Sequence, residues 1–379
     1  MSAGFSKEEL ERYSRHIIIP EFNIEGQRRL KEARVLVVGT GGLGSPLLLY
    51  LTAAGVGHIG VLDFDVVDDS NLQRQVLFTV DDVGRPKVEA ATEKLRKLNP
   101  HVNFTIHNER LTAANAREIV SQYDLVADGT DNFPTRYLVN DVCVMLGKTN
   151  VYASIFRFEG QVSIFNYKYS DGTFGPQYRD LFPSPPPPGL VPSCAEGGVL
   201  GVLPGMIGSF QANEVIKVIT GIGEPLVGRL FLFDALNFET RTLKIRKNTG
   251  TPQITELIDY EQFCGIGGLD DAVHNVREIS VKELQQWKAN DHNFQLIDVR
   301  EAYEYDIANL GGELIPQKQV ANQIDKISKD RDVVIHCRSG KRSAEVIEKL
   351  QEAGYDNLYN LRGGILAWAE EIDHNMARY

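Results

Sequence analysis

The segment Ala33-Arg-Val-Leu-Val-Val-Gly39-Thr-Gly-Gly-Leu-Gly44-Ser-Pro-Leu-Leu-Leu-Tyr-Leu-Thr-Ala-Ala-Gly55 decides the fold of the first part of the chain. Its β-branched run predicts a strand, the glycines that follow predict a tight turn, and the apolar stretch after Ser45 predicts a helix. Ser45 is a favourable N-cap, and Gly55 is placed to end the helix in a left-handed conformation. A second predicted strand, residues 57–63, completes a βαβ unit of about 30 residues.

Helix and strand patterns continue to alternate beyond this unit. A helix is predicted over residues 87–98, strands over 102–106 and 124–127, then a helix over 205–220 and strands over 228–234 and 240–246. This order is typical of an α/β fold with a doubly wound, Rossmann-like, mostly parallel sheet. The stretch Ser184-Pro-Pro-Pro-Pro188 cannot form a helix. Residues 167–192 are therefore predicted to be a long exposed loop, either without a role or acting as a lid or binding segment.

A second, smaller unit follows a stretch rich in glycine, threonine, aspartate and asparagine. Its predicted elements are strands over residues 294–299, 332–337 and 358–361 and helices over 317–328, 341–353 and 365–372. The pattern predicts a second α/β domain of about 100 residues. We therefore expect domains at residues 1–250 and 277–379, joined by a linker over residues 251–276.

The composition narrows the classes of function. The chain has 379 residues, of which 42% are hydrophobic and 24% charged, an ordinary balance for a folded protein of about two to three domains. Its net charge of -11 gives no dominant basic face, so nucleic acid is not an expected partner. Four scattered cysteines are too few for a disulfide framework, and no segment has the pattern of a signal peptide or membrane span. We expect a cytoplasmic protein without membrane contact.

The glycine turn between the first strand and helix predicts a nucleotide site. Main-chain N–H groups at a helix N-terminus lack partners, and the helix dipole adds positive potential, so anions bind there. The turn supplies Gly39, Gly41, Gly42 and Gly44. A glycine pattern alone is weak evidence, but this one follows a strand, opens a helix and precedes Asp63 and Asp65, either of which could hold a ribose hydroxyl.

Charged residues downstream indicate a triphosphate rather than a dinucleotide. A triphosphate under attack needs several cations to offset developing charge, and Arg74 and Lys87 are candidates. Asp131 follows a predicted strand at the sheet edge where ligands bind, and its carboxylate could hold Mg²⁺. Each residue alone could equally be solvated or salt-bridged, so the prediction depends on their combination.

Over about residues 5–246 the chain resembles the molybdopterin-synthase adenylyltransferase (MoeB/ThiF) family. The matching segments are Arg12-Tyr-Ser-Arg15, the glycine turn at 39–44, Asp63-Phe-Asp65, Ser70-Asn71-Leu-Gln-Arg74-Gln75, Gly84-Arg-Pro-Lys87 and Asp128-Gly-Thr-Asp131-Asn132. The resemblance implies that ATP and Mg²⁺ are used to adenylate the C-terminal glycine of a ubiquitin-like sulfur carrier protein that ends in Gly-Gly. The roles that it implies are phosphate contacts for Asn71, Arg74 and Lys87, the ribose for Asp63 or Asp65, the metal for Asp131, and an arginine finger across a homodimer interface for Arg15.

Zinc is not expected, although members of this family often hold one with two Cys-x-x-Cys pairs. The first position reads Gly175-Pro-Gln177-Tyr-Arg-Asp180, and residues 246–254 contain no cysteine. Zn²⁺ favours thiolate or imidazole ligands, for which Gln177 and Asp180 are poor substitutes.

The four cysteines have different predicted roles. Cys337 ends a predicted strand and precedes a helix, so main-chain N–H groups can stabilise its thiolate or persulfide anion. The persulfide loop continues through Arg338, Ser339, Gly340, Lys341 and Arg342. Cys194 follows the proline-rich stretch, where it is either placed to attack an adenylate, as the matching family cysteine can, or an incidental thiol. Cys143 is predicted to be a core residue and Cys264 a surface thiol.

Residues 277–379 resemble a rhodanese sulfurtransferase domain. The matching segments are Asp298-Val-Arg300-Glu301, the loop at Cys337 and Arg362-Gly-Gly-Ile-Leu-Ala-Trp368. Asn309 and Glu313 replace the family's usual histidine and alanine, but the catalytic loop is complete. A phosphatase loop of the Cys-x5-Arg type would need an arginine at position 343, where this chain has Ser343. Here the arginine is Arg342, so the loop is one residue shorter, which favours a sulfane sulfur over a phosphate.

The two resemblances together imply one reaction sequence. ATP activates the carrier carboxylate, and a Cys337 persulfide converts the acyl adenylate into a thiocarboxylate. The sulfur donor is left open between thiosulfate and a cysteine desulfurase persulfide, and the end product between molybdopterin, thiamine, cysteine and a thiolated tRNA. Two other functions are alternatives from the sequence, namely an NAD-dependent dehydrogenase with a sulfur-sensing rhodanese domain and a non-catalytic scaffold for a ubiquitin-like protein.

Overall fold

The computed structural model describes residues 4–187, 197–265 and 276–379. The chain divides into two compact units, Met1–Gly267 and Gly268–Tyr379, each with its own sheet. Within these described ranges, no helix is long and apolar enough to cross a membrane.

The first unit contains an eight-stranded sheet. Its strands are β1 Arg34–Val38, β2 His58–Leu62, β3 Asn103–His107, β4 Leu125–Asp128, β5 Thr149–Phe156, β6 Glu159–Phe165, β7 Arg229–Asp234 and β8 Glu239–Lys244. They lie in the order β3-β2-β1-β4-β5-β6-β7-β8, parallel from β3 to β5 and antiparallel from β5 to β8. The parallel half confirms the predicted doubly wound sheet.

Helices cover both faces of this sheet. They are α1 Lys7–Ile17, α2 Asn23–Glu32, α3 Gly44–Ala54, α4 Lys87–Leu98, α5 Ala116–Ser121, α6 Phe133–Leu146, α7 Tyr178–Leu181, α8 Leu203–Thr220 and α9 Tyr260–Phe263. Successive side chains of β1 point to opposite faces, so Val35 and Val37 pack in one core and Leu36 and Val38 in the other. All residues of β1 from Val35 to Val38 are apolar and buried, as expected for a strand in a sheet that is buried on both sides.

The helix after the glycine turn begins two residues earlier than its N-cap prediction requires. Its N-cap is Leu43, and Ser45 lies inside the first turn, where its hydroxyl donates to the Thr40 carbonyl at 3.2 Å. The N-cap prediction for Ser45 is wrong because the turn itself supplies the start of the helix. The prediction for Gly55 is confirmed, since its φ is 83° at the helix C-cap.

The second unit contains a five-stranded, all-parallel sheet. Its elements are β9 Arg277–Ile279, α10 Val281–Ala289, β10 Phe294–Asp298, α11 Ala302–Ile307, β11 Glu313–Leu314, β12 Asp332–His336, α12 Lys341–Glu352, β13 Leu358–Leu361 and α13 Gly364–Glu371. The strand order is β11-β10-β12-β13-β9. The helix predicted over residues 317–328 is wrong, because this stretch forms two short 3₁₀ turns, Gln317–Asn322 and Ile324–Lys326.

Part of the expected linker belongs to the first unit. Tyr260 and Cys264 are buried in its core, and the Tyr260 hydroxyl donates to Asp141 at 2.8 Å. Cys264 is therefore not the surface thiol expected from the sequence, and burial raises its pKa to about 11. Cys143 is wholly buried, as predicted.

Candidate active sites

The glycine turn forms the floor of a cleft at the carboxyl ends of β1, β2 and β4. Gly39, Gly41 and Gly42 line the cleft. Gly39 has a φ of 91°, a left-handed conformation that favours glycine. A Cβ at Gly44 would lie 2.0 Å from the Gly39 carbonyl oxygen, so Gly44 is required to close the turn and does not line the cleft.

The two candidate ribose carboxylates, Asp63 and Asp65, have different surroundings. Asp63 is buried, and its Oδ2 accepts hydrogen bonds from the Thr40 amide at 2.8 Å and the Thr40 hydroxyl at 2.7 Å. Its Oδ1 accepts from the Asp65 amide at 3.0 Å. Asp63 therefore positions the glycine turn, while the Asp65 side chain is 50% exposed at the cleft.

The two predicted cations have different neighbours in the cleft. Lys87 is only 7% exposed, and its Nζ lies 3.0 Å from Asp65 Oδ2. Arg74 packs near Gly42 and donates to the Ser70 carbonyl at 3.2 Å. Both line the same cleft, so the structure brings together the cations that the sequence placed 13 residues apart.

Asp131 lies at the mouth of the cleft, after β4. It is exposed, whereas Asp128, at the end of the strand, is wholly buried and accepts from the Thr130 amide and hydroxyl at 3.0 and 2.6 Å. Burial raises the pKa of Asp128, although the Thr130 hydrogen bonds oppose the shift. Asp131 is therefore the carboxylate of this pair that a ligand in the cleft can reach.

Several cleft residues were not identified from the sequence. Arg136 is buried in α6 and donates to the Thr130 carbonyl at 3.1 Å. Arg136 Nε and Gln75 Oε1 are buried without a hydrogen-bond partner among the described residues. The guanidinium of Arg110 stacks over the Phe64 ring at 4.4 Å. The available signal for Arg136 was its position in the first turn of the helix that follows Asp131.

Three predicted site residues are not part of the described cleft. Asn71 lies in a 3₁₀ turn, where its amide oxygen accepts from the Asp68 N–H at 3.3 Å. Arg15 is exposed in the last turn of α1 and does not line the cleft. Cys194 lies outside the described residues, as does residue 188 at the end of the four-proline stretch.

The persulfide loop encloses the sulfur of Cys337 in the second unit. Cys337 follows β12 and is 1% exposed. The Gly340 N–H donates to its Sγ at 3.2 Å, and the Ser343 hydroxyl lies 3.4 Å from the same atom. Gly340 has a φ of 97° and is the N-cap of α12, so the loop depends on glycine at this position. The sulfur therefore faces a main-chain donor at a helix N-terminus, as the sequence predicted.

The cations of the loop differ in their partners. Arg342 forms a bidentate ion pair with Glu304, at 2.8 and 2.7 Å. Burial alone would raise the pKa of Glu304, but the hydrogen bonds from Arg342 and the Glu301 amide lower it below its ordinary value. Arg338 donates through Nε to the main-chain oxygen of Tyr379 at 2.6 Å, and Lys341 is exposed.

Behind the loop lies a fully buried charged group. Arg300 makes a bidentate contact with Asp298, and both side chains have no exposed surface. His336 is also fully buried, and within the described ranges neither ring nitrogen has a hydrogen-bond partner. Burial lowers its pKa to about 4, so it is a neutral strand residue rather than a base for Cys337.

At the first position of the family's zinc ligands, this chain has Asp180, which accepts hydrogen bonds from neighbouring residues. Asp180 Oδ1 accepts from the Asn248 amide at 3.0 Å and the Thr251 hydroxyl at 2.7 Å, and its Oδ2 accepts from the Gln177 amide at 2.8 Å. No group of three or more His, Cys, Asp or Glu side chains suited to a metal occurs in the part of the chain that the structure describes.

Comparison with protein-family models identifies both units. Residues 13–253 match the ThiF family, and residues 280–371 match the rhodanese-like domain. The chain belongs to the ThiF family. Within it, the chain combines the ThiF unit with a C-terminal rhodanese-like domain, as expected from the sequence.

Three named proteins are similar to this chain over most or all of its length. "Probable adenylyltransferase/sulfurtransferase MoeZ" of Mycobacterium tuberculosis is 51% identical over 100% of this chain and 97% of its own length. "Adenylyltransferase and sulfurtransferase MOCS3" of Drosophila grimshawi is 40% identical over 99% of this chain and 87% of its own. "Sulfur carrier protein adenylyltransferase" of Thermus thermophilus is 54% identical over 69% of this chain and 99% of its own. The two relatives that match over nearly the whole chain are named for both activities, and this chain is an adenylyltransferase and a sulfurtransferase.

Solved structures support the fold of the first unit. A crystal structure of E. coli MccB with ATP aligns with a TM-score of 0.55 and 22% identity, covering 66% of this chain and 75% of that one. A crystal structure of PaaA aligns with a TM-score of 0.54 and 26% identity, covering 64% and 76%. At these identities the MccB likeness is evidence for the fold alone.

Proposed function

We propose that this chain adenylates the C-terminal glycine of a ubiquitin-like sulfur carrier protein and converts it into a thiocarboxylate. The observation that carries the proposal is the presence of two different anion sites on one chain. One is an open cleft with a glycine turn, Lys87, Arg74 and Asp131, and the other is the enclosed loop around Cys337. The first suits a nucleoside triphosphate and the second a single sulfur anion.

In the first step the cleft holds ATP and the carrier carboxylate attacks the α-phosphorus. A carboxylate is repelled by the triphosphate, so the site must offset charge and align the attacking oxygen. Lys87 and Arg74 contact the phosphates, Asp65 holds the ribose, and the glycine turn supplies main-chain donors. The products are the acyl adenylate and pyrophosphate, and no side-chain base is required.

Asp131 is the residue that we assign to Mg²⁺. Its carboxylate is exposed at the cleft mouth and offers the hard oxygen ligands that this ion prefers. When bound with ATP, Mg²⁺ offsets negative charge on the phosphate oxygens. Zinc has no place in the proposal, because Asp180 is committed to hydrogen bonds.

In the second step the terminal sulfur of a Cys337 persulfide attacks the activated carbonyl. AMP leaves, and the carrier becomes joined to Cys337 through an acyl disulfide. A second thiol then attacks the Cys337 sulfur, which releases the carrier thiocarboxylate and leaves a disulfide between Cys337 and that thiol. A further thiol reduces this disulfide and frees the Cys337 thiolate. Cys337 then takes up sulfur again, either from thiosulfate, with release of sulfite, or from a cysteine desulfurase persulfide.

We assign Cys194 as the acyl acceptor in a two-stage form of this second step. Its thiolate displaces AMP to give a thioester, and the Cys337 persulfide then displaces the Cys194 thiolate instead of AMP.

We propose a homodimer in which Arg15 reaches the cleft of the partner subunit. Arg15 lies in α1, outside the cleft of its own chain, and the next turn exposes Ile18 by 66% and Ile19 by 44%. Exposed apolar residues beside an arginine that does not line its own cleft suit a subunit interface.

The reaction belongs in a reducing, ATP-containing compartment, which we take to be the cytoplasm. The identity of the sulfur carrier protein determines whether the sulfur goes to molybdopterin, thiamine, cysteine or a thiolated tRNA.

The test uses the purified chain with candidate carriers ending in Gly-Gly. Pyrophosphate exchange into ATP should depend on the carrier and should be lost in Asp131→Ala. Cys337→Ala should retain exchange and lose sulfur transfer from thiosulfate to cyanide. Exchange that persists in Asp131→Ala would contradict the metal assignment, and one zinc per chain by metal analysis would contradict the absence of a zinc site.

A further inference from the structure

The mouth of the persulfide loop carries three cations, Arg338, Lys341 and Arg342. An anionic sulfur donor that approaches Cys337 must use them to offset its charge. Arg342 is already committed to Glu304 by two hydrogen bonds, at 2.8 and 2.7 Å. The state of Arg338 therefore matters for the recognition of a small anion.

Tyr379 holds Arg338 from a distant part of the sequence. Its main-chain oxygen accepts from Arg338 Nε at 2.6 Å, and its ring centroid lies 5.6 Å from the Arg338 guanidinium carbon. Its hydroxyl accepts from Arg300 and lies 3.4 Å from Glu304 Oε1. Tyr379 thus links Arg338 of the persulfide loop to Glu304, the carboxylate that pairs with Arg342.

The anchors of Tyr379 are rigid. Arg300 is fully buried and is fixed by Asp298 and by the Ala308 carbonyl, to which it donates at 2.8 Å. Glu304 is buried and is fixed by Arg342. Burial raises the pKa of Tyr379, so its phenol stays neutral and can bridge the arginine and the carboxylate.

We propose that Tyr379 is a specificity-determining residue of the sulfur-transfer unit, which keeps Arg338 from binding small anionic sulfur donors. The proposal rests on the proposed role of Cys337 as the persulfide carrier. While Tyr379 is in place, a small dianion meets one exposed cation, Lys341, instead of two. The rate of a neutral reagent of the same size does not depend on whether Tyr379 holds Arg338, because a neutral reagent is not attracted by the charge of Arg338.

The test compares two alkylating reagents of nearly equal size. The Cys337 thiolate displaces iodide from anionic iodoacetate or from neutral iodoacetamide, and mass spectrometry of the Cys337 peptide gives each rate. In Tyr379→Ala the ratio of the iodoacetate rate to the iodoacetamide rate should rise about fivefold, the effect of one partly exposed charge contact. Tyr379→Phe, which loses only the hydroxyl anchors, should show a smaller rise. Tyr303→Ala changes a tyrosine of α11 that is 63% exposed and should leave the ratio unchanged.

A double variant identifies the residue through which Tyr379 acts. In an Arg338→Ala background, Tyr379→Ala should produce no further rise in the ratio. An unchanged ratio in both Tyr379 variants would overturn the proposal, and so would a rise that persists without Arg338. If Tyr379→Ala lowers both rates equally and Tyr379→Phe behaves as wild type, Tyr379 only stabilises the fold and the proposal fails.

Sulfur transfer separates this proposal from the one on which it rests. The KM for thiosulfate should fall in Tyr379→Ala, while kcat changes little and carrier-dependent pyrophosphate exchange is unaffected. If Cys337→Ala retains thiosulfate-to-cyanide transfer, the persulfide role of Cys337 fails. If Cys337→Ala is inactive but the Tyr379 variants show neither a lower KM nor an altered alkylation ratio, only the role of Tyr379 fails.

Discussion

The cleft around the glycine turn and the persulfide loop are built on the same backbone arrangement. In both, a parallel strand ends in a glycine-containing turn that leads into a helix, from β1 into α3 and from β12 into α12. The cleft adds charged side chains from separate elements around an open turn. The loop instead closes on a sulfur that is 1% exposed and contacts it with the Gly340 N–H.

This difference follows from the size and charge of the two anions. A triphosphate carries several charges over a long group, which the main-chain donors of one turn cannot offset. In our proposal Lys87 and Arg74 add the positive charge, and Asp131 would hold Mg²⁺. A sulfur anion carries one charge on one atom, which a main-chain donor and a helix dipole can stabilise. Substitutions of side chains should therefore affect the cleft more than the loop, except at the nucleophile itself.

The largest expected effect among these tests is at Lys87. Lys87→Ala should lower carrier-dependent pyrophosphate exchange by about 10²- to 10³-fold, because it removes a cation and leaves Asp65 unpaired in the cleft. Thiosulfate-to-cyanide transfer should not change. Lys97→Ala is the matched control, since Lys97 lies on the same helix but is 72% exposed and pairs with Glu93. A decrease of less than threefold would show that residues other than Lys87 offset the charge of the phosphates.

The second test concerns the stability of the loop's unit in acid. Because the pKa of His336 is lowered to about 4 in the folded state, the unfolded chain binds its proton more tightly. Stability from this group is therefore complete above its unfolded pKa of about 6.5 and is lost as the pH falls towards 4, by about 2 kcal/mol between pH 7 and 5. Calorimetry should show that the transition of this unit moves to lower temperature over this range, and less so in His336→Asn. Equal pH dependence in the two proteins would exclude His336 as the cause.

A smaller effect is expected at Ser343, whose side chain lies against the sulfur of Cys337. Its hydroxyl lies 3.4 Å from Cys337 Sγ and 2.7 Å from Asn360 Oδ1, so it can turn to donate to the sulfur anion. Ser343→Ala should slow iodoacetamide alkylation of Cys337 at pH 7 about tenfold and move the pH profile of this rate upward. Ser343→Thr should restore it, and Ser339→Ala, an exposed loop serine, should have no effect. Superimposable profiles would show that the main chain alone stabilises the sulfur.

The smallest effect is expected at Asp180, which does not line the cleft. Asp180→Ala should lower the stability of the first unit by about 1 kcal/mol and speed proteolysis near residue 250, because it removes the acceptor of the Asn248 amide and Thr251 hydroxyl. Pyrophosphate exchange should be unchanged. Asp171→Ala is the control, since this exposed carboxylate caps a turn at Thr173 in the same unit. A loss of exchange would show that this region supports the cleft.

The sequence predicted the local features of both sites and missed features that depend on distant partners. The glycine turn, the end of α3 at Gly55 and the loop at Cys337 were all indicated by short motifs. Ser45 was misassigned because the glycine turn itself starts the helix, which leaves Ser45 inside the first turn. Residues 317–328 were predicted as a helix from their apolar spacing, but tight turns replace it. Arg136 was missed because its burial against Phe133 and Tyr152 depends on packing.

The sequence by itself determined the two α/β units, the glycine turn of the cleft and the loop at Cys337. These features depend on periodicity and on backbone conformations that only a few residue types adopt, so neighbouring residues are sufficient to encode them. Only the tertiary structure decided which charges meet. Lys87 pairs with Asp65 across 22 residues, Arg342 with Glu304 across 38, and Arg338 with Tyr379 across 41. Strand order and burial set these pairings, and they determine which cations remain available to a ligand.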